Sequence, residues 1–170
     1  MTLLAQPAYQ YIRQVALYAG DGRVYYEDTR KCWNLQKPVS GVYYQDFTIY
    51  KKQASDLQYG DAVQLSVQDP YDQNQRQFWS SQPALAPLQA VKYSLQIMEI
   101  TDPQTKFTIW SPDGSSGELK TGADFWLTDW DGTYIAYEPK IGNLFGPFLN
   151  ADGNKINAVR LNLVFLPAKG

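Results

Sequence analysis

Apolar positions along this chain fall in short runs, several of which alternate at every second residue, and helix signals are almost absent. Short runs rich in β-branched and aromatic residues, bounded by Gly, Pro, Asp and Asn, predict strands. They cover residues 14–18, 23–26, 42–50, 62–67, 77–80, 106–110, 124–128, 133–137 and 159–166. The nearest approach to a helical stretch, 84–98, carries Pro87 inside it and then alternates as a strand does from Tyr93 to Ile97. The pattern predicts an all-β chain, and a 15% aromatic content suits such a core.

The pattern also repeats. Phe47-Thr48-Ile49-Tyr50 returns sixty residues later as Phe107-Thr108-Ile109-Trp110. Residues 56–65 then align with 118–127, so that Gly60, Val63 and Leu65 fall on Gly122, Phe125 and Leu127, with two additional residues in the second copy's loop. A weaker third copy places Val15 and Leu17 on the same pattern. Four residues after each leucine stands an aspartate: Asp21, Asp69 and Asp131. Two of these continue as Asp-Gly, a strong hairpin signal.

The chain therefore reads as one domain, 1–170, made of three units at roughly 8–52, 53–113 and 114–170. Each opens with a hairpin and closes with an apolar strand, and none can bury its own face alone. This organisation resembles the β-trefoil, with three pseudo-equivalent four-stranded units. It is similar to the fascin-like and lectin-like branches of that superfold without matching a specific family. A β-sandwich with a duplicated hairpin is the alternative architecture.

Composition narrows the function. No histidine is present, which removes Ser-His-Asp and Cys-His nucleophiles and most zinc sites. The net charge of −2, from 15 basic and 17 acidic side chains, leaves no footprint for nucleic acid. No apolar run approaches a membrane span. Cys32 is the only cysteine, so the chain is expected to be disulfide-free. Residues 1–11 lack the basic start and apolar run of a signal peptide. These features lead to the expectation of a soluble cytoplasmic protein, or one exported without such a peptide.

Chemistry-bearing motifs are missing as well. The Gly/Ser-rich stretch 113–117 has no helix after it to cradle a phosphate. No Cys/His cluster or EF-hand spacing is found. Asp129 and Asp131 form a conceivable carboxylate pair, but aspartates flanking a tight turn are ordinary turn residues. The expectation is a non-enzymatic protein with no cofactor and no metal.

One departure from the internal symmetry remains. Phe125 and Leu127 should point inward, like Val63/Leu65 and Val15/Leu17, which turns Trp126 outward. Its counterparts are Ala16 and Gln64. Trp130 stands at the turn where the other units have Gly20 and Gln68, and Tyr134 follows on the returning strand. Trp126, Asp129, Trp130, Asp131 and Tyr134 thus form the candidate ligand-binding group. Outward aromatics beside carboxylates are what carbohydrate recognition uses, with a glycan or glycoprotein as partner. The alternative is a protein-binding trefoil: a scaffold or actin-bundling module, a toxin targeting domain, or a protease inhibitor. It would act through the loops 69–77 and 140–155. A third possibility is that loop 140–158 folds over Trp126 and buries it.

Overall fold

In a computed structural model, the described residues are 10–27, 32–41, 44–53, 55–68, 76–83, 93–98, 103–137, 149–153 and 158–167. They form twelve strands. In chain order these are β1 (Gln10–Ala19), β2 (Gly22–Glu27), β3 (Cys32–Gln36), β4 (Phe47–Lys51), β5 (Ala62–Gln68), β6 (Arg76–Pro83), β7 (Tyr93–Met98), β8 (Phe107–Trp110), β9 (Asp124–Thr128), β10 (Tyr134–Tyr137), β11 (Leu149–Gly153) and β12 (Leu161–Phe165). A single 3-10 turn at Pro103–Thr105 precedes β8. The all-β expectation holds.

Strand pairing shows why the three units need one another. β1 pairs with β4, β4 with β5, β5 with β8, β8 with β9, β9 with β12, and β12 with β1. All six pairings are antiparallel, and together they close a six-stranded barrel rather than the two sheets of a sandwich. The remaining strands form three hairpin pairs: β2–β3, β6–β7 and β10–β11. Each unit supplies two barrel strands and one such pair.

The register is threefold down to single residues. Within one face, Ile49 faces Leu65, Ile109 faces Leu127, and Leu163 faces Leu17. One layer away, Phe47 faces Val15, Phe107 faces Val63, and Leu161 faces Phe125. All twelve side chains are buried, as a two-residue period with one face inward requires.

The repeated glycines do the same work at two unit junctions. Gly60 and Gly122 adopt φ of +93° and +81°, in the left-handed region that favours glycine. That turn lets Gly60 N–H donate to Ile109 O at 2.6 Å and Gly122 N–H to Leu163 O at 2.7 Å. The buried side chains of Leu57 and Leu119 sit at equivalent places, joined by Leu119 N–H to Leu57 O at 2.8 Å.

Several local expectations need correction. The strand predicted over 42–50 starts only at Phe47. Ala16, expected on the outer face, is buried. The first hairpin expected at Asp21-Gly22 turns at Gly20 and Asp21, with Gly20 at φ +62° and β2 beginning at Gly22. Strands β3 and β11 have no counterpart among the predicted runs.

Candidate functional site

β9 presents its odd and even residues to opposite sides. Phe125 and Leu127 are buried in the barrel, and Trp126 lies half-buried on the outer side, as alternation predicts. Trp110 on β8 is its direct cross-strand partner and therefore shares that face. The ring of Tyr134 on β10 meets Trp126 edge-on, with centroids 5.7 Å apart. An aromatic strip thus crosses three strands. Trp110, at its outer end, is 43% exposed.

The turn after β9 carries a further exposed tryptophan. Trp130 is 39% exposed, yet its indole Nε1–H donates to Ser81 O on β6 at 2.9 Å. Trp110 is pinned in the same way, its Nε1–H donating to Thr128 Oγ1 at 2.8 Å. Both rings thus show apolar faces to solvent while their polar edges are satisfied within the fold. A planar surface of this kind is ordered before anything binds to it.

Asp129 anchors the turn. It is 4% exposed. Its Oδ1 accepts the N–H groups of Asp131 and Thr133, both at 2.9 Å, and its Oδ2 accepts the Ser81 hydroxyl at 2.6 Å. Burial pushes its carboxyl above the usual carboxylate range; these three hydrogen bonds pull the other way, and the neighbouring charge of Asp131 adds to the upward push. A carboxylate committed to three internal donors is a structural part of the turn, as its position flanking an Asp-Gly pair suggested. Asp131 is exposed and leaves its side chain at the surface.

Of the five candidate residues, then, Trp126 and Tyr134 meet on the outer strip, whereas Asp129, Trp130 and Asp131 belong to the turn after β9, with Asp129 buried and Trp130 and Asp131 exposed. Trp110 was missed. Its signal was the outward position of the Phe-Thr-Ile-Trp strand, where the sibling unit carries Tyr50. Most of the loop expected to cover Trp126, 140–158, lies outside the described residues. So does most of loop 69–77. Among the described residues no group of acidic, cysteine or histidine side chains is arranged to hold a metal ion. No described helix is long and apolar enough to cross a membrane.

No family model matches the chain, and no curated protein matches it either. Its fold does match a solved structure described as type II water-soluble chlorophyll-binding proteins. The TM-score is 0.63 at 12% identity, over 91% of this chain and 91% of the other. At that identity the likeness speaks for the fold.

This finding corrects the resemblance to fascin-like and lectin-like branches. The match runs to a pigment-binding protein, and the carbohydrate reading falls, together with a glycan or glycoprotein partner. The structure supplies a physical reason: the Asp129 carboxylate that would fix sugar hydroxyls is already occupied. Trp79 on β6, in the second unit, belongs to the core and is fully buried against Trp33, Phe47 and Phe107.

Proposed function

We propose that this chain is a non-enzymatic binding protein that holds a planar, largely apolar ligand of the pigment class against the outward aromatic side chains of β8, β9 and the turn that follows β9. The observation that carries this reading is the anchored exposure of Trp130. Its ring face is open while its N–H is tied to Ser81 O, so little side-chain freedom remains to be lost on binding. Trp110, beside Trp126, repeats the arrangement. Support for the ligand class comes from the chlorophyll-binding protein that shares the fold. The single cysteine, Cys32, fits action in the reducing cytoplasm.

The test is a titration with chlorophyllide, a planar tetrapyrrole without the long tail. Saturable quenching of tryptophan emission is expected, with a shift of the ligand's visible bands. Trp130→Ala should weaken binding about tenfold, which corresponds to roughly 1.4 kcal/mol, and leave the urea midpoint almost unchanged. Unshifted bands in the presence of folded protein would remove the pigment reading.

A further inference from the structure

The threefold register brings together a second set of residues, beside β4, β5 and β8. Where β4 runs out and β5 begins, a cleft of about 320 Å³ is lined by Lys51, Lys52, Gln53, Gly60, Asp61 and Lys106. The junction between β8 and β9 holds the corresponding cleft of about 220 Å³, lined by Ser111, Asp113, Asp124 and Arg160 among others. The repeat aligns these positions one by one. Lys51 falls on Ser111, Lys52 on Pro112, Gln53 on Asp113, Asp61 on Ala123, and Lys106 on Arg160.

The two clefts share a backbone and differ in charge. Three lysines and one aspartate give the β4–β5 cleft a net charge of +2, on a chain whose net charge is −2. One arginine and two aspartates give its sibling −1. The lysines are not scattered along an exposed strand: they converge on one concavity from the end of β4 and the approach to β8.

Lys51 is built into the cleft wall. Its side chain is 6% exposed, and its ammonium lies 2.7 Å from Asp61 Oδ2 and donates to Asp56 O at 2.8 Å. Asp61 also accepts the Gln58 N–H at 2.8 Å, which fixes the pair. Two of the three ammonium hydrogens are thereby used, and the third has no acceptor among the described residues. Lys52 and Lys106 are exposed at the rim, and no described carboxylate forms an ion pair with Lys106.

We infer that the β4–β5 cleft is a binding site for a phosphate group, free or esterified, held by Lys51 from below and by Lys52 and Lys106 from the rim. A doubly charged oxyanion would balance the net charge of the cleft and accept the remaining Lys51 hydrogen. The volume leaves room for a small organic group beyond the phosphate. The cleft shares no lining residue with the aromatic strip, and the inference does not depend on the pigment reading.

The experiment is calorimetric titration of the intact chain with inorganic phosphate and with glycerol 3-phosphate, sodium chloride holding ionic strength constant. Saturable one-to-one binding is expected for at least one of them, and which binds tighter identifies the free or the esterified source. The double substitution Lys52→Ala with Lys106→Ala should weaken it at least tenfold at an unchanged urea midpoint, since both side chains are exposed. Lys106→Arg should largely retain it. Arg160→Ala, in the sibling cleft, should leave it unaltered. Failure of both anions to bind, wild-type affinity in the double variant, or an equal loss from Arg160→Ala would each overturn the site.

Discussion

The hydroxyl of Ser81 donates to Asp129 across 48 positions of sequence, at 2.6 Å, and so ties the second unit's hairpin to the third unit's turn. Trp130, the next residue along, returns the link by donating to the carbonyl of the same Ser81. The exposed tryptophan is therefore held from another unit, and the turn that carries it has a foundation that can be removed.

Asp129→Ala should destabilise the fold by about 2–4 kcal/mol, because it leaves the Ser81 hydroxyl and the N–H groups of Asp131 and Thr133 without their acceptor. Asp129→Asn keeps one carbonyl oxygen in place and should cost only about 1 kcal/mol. Urea unfolding separates the two. Equal effects would mean that the hydrogen bonds are not what the turn depends on.

Two aspartates should respond to acid in opposite ways. Asp129 has a raised pKa in the fold, chiefly through burial. Its contribution is fully present below the unfolded value of about 3.8 and is lost as pH rises through the folded value. Wild type should therefore gain stability relative to Asp129→Asn as pH falls from 7 toward 4. Asp113 is lowered to about 2 by the Ser111 and Ser115 hydroxyls. Its contribution is present above 3.8 and disappears as pH falls through about 2. Carboxyl carbon titration by NMR should show Asp113 moving back toward 3.8 in the Ser111→Ala, Ser115→Ala double variant.

Neighbouring residues on β9 should behave differently. Phe125→Ala removes a buried ring from the barrel and should cost about 3–5 kcal/mol. Trp126→Ala, on the outer side, gives up its edge contact with Tyr134 and part of its burial, about 1–2 kcal/mol in all. Denaturation midpoints of the two variants test this. Comparable losses would put Trp126 in the core after all.

Gly60→Ala and Gly122→Ala should each destabilise by roughly 1–2 kcal/mol through left-handed backbone strain alone, since a Cβ at either site meets nothing within 4 Å. Similar midpoint shifts are expected for both. A much larger loss at one would show that the junctions are not equivalent.

Much of the barrel was legible in the sequence because its strands combine a two-residue period with repeated identities. Leu65, Leu127 and Leu17 align by residue pattern alone, and they occupy equivalent places in the barrel. The hairpin strands were harder. β11 reads Leu-Asn-Ala-Asp-Gly, a composition that ordinarily marks a turn; it is a strand because β10 and β7 pair with it. β3 also escapes the pattern although Trp33 and Leu35 alternate within it, and Trp33 proves to be one of the largest fully buried side chains. In the candidate site, the outward turn of Trp126 followed from alternation. The inward commitment of Asp129 did not, because its partner Ser81 lies in another unit and no local pattern announces it.

The ring of six strands also sets a schedule for folding. β1 takes β12 as one of its two barrel neighbours, with Leu17 opposite Leu163. On a ribosome the first strand must therefore wait until the chain has emerged through Phe165 before its second neighbour exists. Closing so large a loop carries an entropic penalty ahead of any reward in contacts, which makes slow, late closure the natural order of events. Until then, Val15 and Leu17 lie on an incomplete wall. The interval between synthesis and closure is when this aromatic-rich chain is most exposed to other molecules.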